Sequence, residues 1–513
     1  RCGSAYPGRM SRSPVSDALT DDAPRFTPRQ RRVLAVLLMP LFISLMSVSI
    51  VNVALPAIET GLGAGTADLQ WVLAGYTLTF GVVLVASGRA GDLFGRKPLF
   101  LVGIAVYALG SLLSGLAVSP GMLNAARLLT GIGAGLFNPQ IIGVIQSTFT
   151  GSARGKAYGM FGTVIGLGVA VGPPLGGLLL EAFGDQWGWR AAFLVSVPVG
   201  LLATVLAAVW LHPPTQTVLE RSALSPLGAL RALDSVGVVL LAAATVCLMV
   251  PFIAPGTVWL LAPAAALLVT WWLWERRVRA AAPRTGVHPM VDPSLFQRPS
   301  FTFSTLHATL YMGTMPAAFA VIAVFVQRGL GHSAFVAGLM TLAGALVVTA
   351  ASTWIGARVH RCGPWFVFVG AAMGVGAMLA IMACAGPVAA GTLPVWTIAA
   401  LLVPQGASQA LIMTSAQVLM MDDVDPARAG SAGGVAQTTQ RVGTSIGMAV
   451  VLGAFYAAGP GDGTATASAE PFAHALVVAL GVVAVSWTIV FVSSGLDLLR
   501  RHRARTGRPG TDV

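Results

Sequence analysis

The chain has 513 residues, of which 55% are hydrophobic and only 10% are charged, and its net charge is +12. A soluble protein of this size would carry about a quarter of its residues as charges, so the composition excludes that class and predicts surface that faces lipid. The arginines lie between apolar runs instead of forming one basic domain, which excludes a nucleic-acid-binding module.

Fourteen apolar stretches are each long enough to cross a bilayer, which takes roughly 20 residues in a helix. A polar segment, 1–31, precedes them without a short signal-peptide core, so we expect the first helix to be retained. The first methionine is Met10, and residues 1–9 are expected to lie upstream of the native start. The predicted helices span 32–56, 71–88, 98–117, 121–145, 156–180, 190–211, 236–253, 257–274, 302–327, 334–357, 364–385, 393–418, 435–458 and 472–496.

Basic residues predict the orientation, because cytoplasmic connections carry the excess of lysine and arginine. With the N-terminus inside, the basic turns after the second, fourth, eighth and tenth helices and the basic tail all lie on the cytoplasmic side. Both termini are therefore expected to be cytoplasmic. The preference for arginine over lysine, with abundant alanine and glycine, indicates a bacterial source and hence the inner membrane.

The predicted fold is an all-α polytopic membrane protein with an internal repeat. The turns at 88–95 and 356–363 both place two glycines seven residues apart, with Asp92 or His360 at the fifth position. Two six-helix bundles around a midplane site would explain this repeat, although a glycine-rich chain can produce the spacing by chance. The expected organisation is a polar segment 1–31, a bundle 32–211, a loop, two inserted helices and linker 212–300, a bundle 301–496 and a basic tail 497–513.

The turn after the second helix reads Gly-Arg-Ala-Gly-Asp-Leu-Phe-Gly-Arg-Lys over 88–97. Its glycines permit a tight reversal, and Asp92 can accept hydrogen bonds from backbone donors at a helix start and pair with a nearby arginine. An ordinary basic turn would explain Arg96 and Lys97 but not a carboxylate between glycines.

Arg127 lies within the fourth predicted helix. A guanidinium in a spanning helix costs at least about 2.5 kcal/mol, so it normally faces a cavity or a partner. The alternative is that Arg127 snorkels to the outer interface from the first turns of its helix.

Glycines recur every four residues in the fifth helix and clear one face for close packing, while a proline pair bends the helix. Taken alone, this pattern fits a packing interface as well as a functional segment. The residues are Gly168, Gly172, Pro173, Gly176 and Gly177.

Together these segments resemble the major facilitator superfamily, and in particular the fourteen-helix drug:proton antiporters of the EmrB/QacA type. The resemblance extends over nearly the whole chain through 47–56, 187–190, Asp234 and 429–447. It implies that the loop latches the two halves in one facing state, that Arg127 takes part in proton transfer, and that the GxxxGPxxGG segment marks an antiporter. The loop matches the family pattern at Gly88, Asp92, Gly95, Arg96 and Lys97.

One departure concerns proton coupling, since Ser47 and Ser49 stand where the family usually has Asp and Thr. Serine does not titrate near pH 7, so another group would have to carry the proton. His307, in the ninth helix, is of a type that changes charge near neutral pH, although a lone histidine on a helix can be structural. The coupling candidates are Arg127, His307 and Asp234.

The cavity side of the helices offers few polar groups on an apolar and aromatic wall. Such a wall suits an amphipathic organic molecule better than a sugar, whose hydroxyl groups need many partners. Hydrogen bonding between helices is an equally good interpretation of these side chains. The candidates for substrate contact are Ser47, Ser49, Asn52, Tyr311, Gln405 and Gln409.

Other classes lack their signatures, since the chain has no GxxxxGK[ST] sequence for ATP, no HExxH or GxSxG, and four scattered cysteines. We therefore expect no enzyme activity, cofactor, metal or nucleic acid. The predicted function is secondary-active efflux of a small amphipathic drug or antibiotic by proton antiport, in a monomer whose partners are substrate, protons and the bilayer. The alternatives are a gradient-independent facilitator or importer, and a non-transporting membrane sensor.

Overall fold

A computed structural model describes residues 26–211, 233–252, 256–285, 289–332, 334–425, 428–459 and 469–506. The polar segment up to residue 25, the loop 212–232 and the tail beyond 506 lie outside the described residues. Over the described ranges the chain is helical with short turns, and no strand is present there.

Fourteen helices of this structure are long and apolar enough to cross a membrane, which confirms the predicted number. In chain order they are α1 Pro28–Leu62, α2 Asp68–Phe94, α3 Arg96–Gly115, α4 Pro120–Thr148, α5 Gly151–Gly184, α6 Gln186–Trp210, α7 Ser235–Phe252, α8 Val258–Arg284, α9 Pro299–Gly329, α10 Val336–Val359, α11 Cys362–Ala389, α12 Trp396–Met420, α13 Ala429–Ala458 and α14 Glu470–Arg500.

Several helices extend beyond their predicted bounds; α1 reaches Leu62 instead of 56, and α2 reaches Phe94 instead of 88. Two further differences have identifiable reasons. The sequence predicts that α8 ends at 274, where charged residues begin, but the helix continues to Arg284 and includes the fully buried Glu275. The sequence also predicts that α13 begins at 435, whereas it begins at Ala429. Its first N–H groups are bound by a carboxylate from another helix, which satisfies donors that would otherwise favour unfolding of that turn.

Local chemistry fixes several other ends. Thr27 and Gln30 form a capping box at the start of α1, with Pro28 in its first turn. Ser119 caps α4 by accepting a hydrogen bond from the Met122 amide. α2 ends at Phe94, and the next residue, Gly95, has a φ of 97°, in the region that side chains disfavour. Glycine at this position permits the immediate start of α3.

The helices pack as two bundles, α1–α6 and α9–α14, with the α7–α8 hairpin against α2 and α13. Apolar side chains on the outside of the bundles face outward, as Val205 and Val239 do with more than half of their surface exposed. This pattern is what a lipid-facing surface requires.

The bundles meet where α5 packs against the α10–α11 segment and where α2 and α4 pack against α13. The turns that join α2 to α3 and α4 to α5 lie at this end and carry Arg96, Lys97, Arg154 and Lys156. We call it the basic end.

Candidate functional site

Asp92 joins the two bundles at the basic end. Its carboxylate accepts hydrogen bonds from the amides of Gly430 and Ser431, at 3.1 and 2.8 Å, and from the Ser431 hydroxyl at 2.8 Å. These donors form the first turn of α13, whose helix dipole also favours a negative charge. Asp92 therefore binds a helix start in the opposite bundle, which the sequence motif alone does not identify.

Arg96 holds this carboxylate from its own side. Its Nη2 lies 3.0 Å from Asp92 Oδ1, and the guanidinium also donates to the Gly143 carbonyl of α4. Both charged side chains are almost completely buried. Lys97 is more exposed and donates to the Ala208 carbonyl of α6 at 2.7 Å. The loop residues thus connect α2 with α4, α6 and α13.

Backbone contacts close the rest of the basic end. A side chain at Gly88 would overlap the Gly430 carbonyl, and Gly155 of α5 lies directly against Gly356 of α10. Gln146 Nε2 adds a 2.7 Å hydrogen bond to the Met421 carbonyl. The described contacts place this end in a closed state.

The glycine face of α5 packs on α1. A side chain at Gly168 would lie 2.9 Å from Leu45 Cβ, and one at Gly172 would overlap Ser49 Cβ. Gly176 faces Ile50, whereas Gly177 has no neighbouring atom within 4 Å. Pro173 lies inside this helix without ending it. The pattern therefore forms a close interface within the first bundle, and it positions Ser49.

Arg127 is buried between helices of the first bundle. Its Nε donates to the Val72 carbonyl at 3.0 Å, and its guanidinium carbon lies 4.6 Å from the centre of the Tyr76 ring. Only 1% of Arg127 is exposed, so snorkelling to the interface does not describe this side chain. Cation–π contact offsets part of the cost of burying a guanidinium.

The substrate-contact candidates have different surroundings. Gln405 Nε2 donates to Tyr311 Oη at 3.1 Å, and the Tyr311 ring stacks on Trp487. Ser47 is buried in α1, while Ser49 donates to the Leu45 carbonyl. Asn52 is exposed and Gln409 is half-buried. The structure brings Tyr311 and Gln405 together. Ser47 and Ser49 lie apart from them, buried in α1 of the other bundle.

His307 faces α14. Its Nε2 lies 2.9 Å from Ser493 Oγ, and the Phe303 ring is its aromatic neighbour. Only 3% of the residue is exposed. The candidates for proton coupling are therefore spread over separate contacts: Arg127 with α2, His307 with α14, and Asp234 at the start of α7.

Asp234 belongs to a pair of buried carboxylates. It caps α7 by accepting from the Gly237 amide at 3.2 Å, and Trp274 Nε1 donates to the same oxygen at 2.8 Å. Glu275 of α8 faces the same space, since a side chain at Gly237 would lie 2.7 Å from Asp234 Oδ2 and 2.9 Å from Glu275 Oε1. Sequence reasoning missed Glu275 because it stands beside two arginines at the end of an apolar run.

Arg441 is a second functional candidate that sequence reasoning missed. It lies in the middle of α13, with its guanidinium carbon 4.4 Å from the centre of the Phe80 ring of α2. None of the ion pairs Arg96–Asp92, Arg279–Asp292 and Arg428–Asp292 involves Arg441. The criterion that selects Arg127, an arginine inside a spanning run, would have found it.

Comparisons with known proteins agree with this architecture. The family model of the Major Facilitator Superfamily matches residues 37–254 and 219–448. The probable actinorhodin transporter of Streptomyces coelicolor is 30% identical over 86% of this chain and 76% of its own length. The puromycin resistance protein pur8 of Streptomyces alboniger is also 30% identical, over 90% of this chain and 92% of its own length.

A solved structure shares the fold at low sequence identity. The human organic anion transporter MFSD10 (TETRAN) is 16% identical, with a TM-score of 0.59 over 91% of this chain and all of that one. Because the family model matches most of the spanning helices and full-length relatives reach 30% identity, the chain belongs to the Major Facilitator Superfamily.

Proposed function

We propose that this chain exports a small amphipathic organic molecule, such as an antibiotic, across a bacterial inner membrane by proton antiport with alternating access. The basic end is then cytoplasmic, as are both termini. The observation that carries the proposal is the set of hydrogen bonds that the Asp92 carboxylate accepts from the first turn of α13. These bonds join the bundles at one side only, so the loop can act as a releasable latch.

The close packing of α1 on the glycine face of α5 supports export over uptake. The face holds the first helix rigidly against the fifth, through Gly168, Gly172 and Gly176. This is the segment whose pattern resembles antiporters, and the relatives matched over most of this chain are a puromycin resistance protein and a probable actinorhodin transporter.

The polar groups within the membrane indicate what the substrate carries. The guanidinium of Arg441 lies over the ring of Phe80, and that of Arg127 lies over the ring of Tyr76. Both rings belong to α2 and are one helical turn apart. A guanidinium among aromatic rings favours a ligand with an aromatic body and an anionic or electron-rich group. Asn52 and Gln409 add hydrogen-bonding capacity without charge.

Arg127, His307 and Asp234 are proposed as candidates for proton coupling, and substitution of His307 separates a proton-carrying role from a structural one. If His307 carries the proton, His307→Ala and His307→Gln should both abolish gradient-driven efflux. If its role is the hydrogen bond to Ser493, Gln should retain most of the activity that Ala loses, because an amide can bond but cannot titrate. Efflux should be measured in vesicles at equal expression of each variant. Unchanged transport in both variants would exclude both the proton-carrying and the structural role of His307.

Expression of the chain in a drug-sensitive host tests export itself. We expect the inhibitory concentration of at least one amphipathic antibiotic to rise several-fold, and we expect an uncoupler to remove this protection. Protection that persists after collapse of the proton gradient would support the facilitator alternative, which Ser47 in place of a carboxylate favours. Binding of the antibiotic without any flux would support the sensor alternative.

A further inference from the structure

The cytoplasmic ends of α7 and α8 hold two carboxylates in a closed apolar space. Glu275 has no exposed surface and Asp234 is 5% exposed. Oδ2 of Asp234 and Oε1 of Glu275 both face the position of a missing side chain on Gly237. Glycine is required there because any side chain would contact both carboxylates.

The hydrogen bonds around these groups do not balance two negative charges. Asp234 Oδ1 accepts from the Gly237 amide and from Trp274 Nε1, but Asp234 Oδ2 and both oxygens of Glu275 accept no hydrogen bond of ordinary geometry from the described residues. Two neighbouring carboxylates that are shielded from water strongly disfavour being ionised together. One proton shared by the pair removes one of the two charges.

The charged groups that face the pair come from several elements. Arg89 of α2, 7% exposed, interacts electrostatically with Glu275, Asp234 and the latch residue Asp92. Arg428, immediately before α13, interacts electrostatically with Arg89. Its guanidinium also lies 2.8 Å from the Asp292 carboxylate of the linker. Arg279 of α8 lies 3.5 Å from Asp292 on its other side. The pair therefore adjoins the groups that close the basic end.

The cover over Glu275 is tied to the opposite bundle. Met290 and Val291 of the linker, both buried, pack over Glu275, and their backbone amides approach its carboxylate. The next residue, Asp292, binds Arg428 at the start of α13. If α13 leaves α2 when the latch opens, the Asp292–Arg428 contact would draw the linker away from Glu275 and admit water to the carboxylates.

We propose that Asp234 and Glu275 form a proton-binding site that stabilises the closed cytoplasmic gate. The site takes a proton from cytoplasmic water when the gate closes and returns it when the gate opens. Lowering the cytoplasmic pH therefore holds the gate closed, and raising it favours opening. This inference rests on the proposed alternating access and adds to it a regulation by cytoplasmic protons.

Accessibility of the gate tests this site without substrate or a proton gradient. Ser352 of α10 is buried against Gly159 of α5, so a cysteine in its place should react with a membrane-impermeant thiol reagent only when the gate opens. Cys2, Cys247 and Cys384 are replaced by serine, and the exposed native Cys362 is kept as a reference. The ratio of labelling at the two positions, in the full chain in nanodiscs, removes the effect of pH on thiol reactivity.

With the native pair, we expect this ratio to rise about tenfold between pH 6 and pH 9, because proton release favours the open gate. In Glu275→Gln, which mimics the protonated form, the ratio should stay low and flat. In Asp234→Asn, which keeps the helix cap, the response should be weakened. Size-exclusion profiles establish that each variant is folded.

Asp68→Asn is the control, because Asp68 lies at the other end of α2 and accepts a hydrogen bond from the Gly65 amide at 3.1 Å. Asp292 is kept native, because it joins the linker to Arg428. Burial raises the pKa of Asp292, but hydrogen bonds from the Ser294 amide and hydroxyl, with Arg279 and Arg428, bring that pKa below its usual value. A carboxyl of lowered pKa loses its stabilising contacts only as pH falls through that low value, so Asp292 stays ionised from pH 6 to pH 9. Asp292 therefore does not supply the pH response, and the Asp68→Asn control should retain it.

An unchanged pH response in Glu275→Gln, or an equal loss of the response in Asp68→Asn, would overturn the proposal. Failure of export in the native chain would be seen separately, in the antibiotic assay, while the labelling experiment still reports on the site.

Discussion

Asp92→Asn is expected to reduce export by at least about tenfold and to open the cytoplasmic gate. The substitution keeps the size of the side chain but removes the negative charge of the carboxylate to which the amides of Gly430 and Ser431 donate hydrogen bonds. Hydrogen bonds to a charged group contribute about 1.5–3 kcal/mol each, and 1.4 kcal/mol changes an equilibrium tenfold. Loss of even one such contact from the closed state is enough for the expected effect.

Labelling of a cysteine at 352 and antibiotic export should be measured on the same Asp92→Asn protein. Asp68→Asn is the control, because Asp68 lies at the other end of α2 and accepts a hydrogen bond from the Gly65 amide at 3.1 Å. We expect this control to keep export within about twofold, since an exposed cap contributes about 1 kcal/mol to local stability. Equal loss in both variants would show that the contact with α13 is not a latch.

Gly172→Ala is expected to abolish export and to lower the stability of the folded protein. The new methyl group would overlap Ser49 Cβ and lie 3.0 Å from the Met46 carbonyl, so α1 must move away from α5. Overpacking of this kind costs about 1–3 kcal/mol, which should lower the midpoint of thermal unfolding in detergent by several degrees.

Gly177→Ala provides the matched control on the same helix. No atom lies within 4 Å of the added methyl group, so stability and export should be unchanged although the substitution also breaks the GxxxGPxxGG pattern. If Gly177→Ala were as damaging as Gly172→Ala, the motif would act through something other than packing against α1.

The number of helices followed from the sequence because the length of an apolar run that must cross lipid is a strong constraint. The loop motif likewise identified Asp92 as an acceptor for a helix start. It could not say which helix, because the donors at 430 and 431 are more than three hundred residues away. A pattern of glycines shows which face of a helix is clear, but not which helix packs there.

Glu275 was missed for a related reason. Its charge and its two arginine neighbours are typical of a loop, and α8 was therefore predicted to end before it. Tertiary contacts override this signal, because the buried linker residues Met290 and Val291 approach Glu275 with their backbone amides. The loop motif assigns no role to Arg89, and its electrostatic interaction with Glu275 and Asp234 appears only in the folded structure.

Substrate and proton movement in vesicles of inverted orientation tests the central claim most directly. With the cytoplasmic side outward, an acid lumen should drive uptake of an exported antibiotic, with protons leaving the lumen in the same interval, and dissipation of the gradient should stop both. Uptake that proceeds at the same rate without a gradient, or proton movement that ignores the antibiotic, would contradict an antiport mechanism.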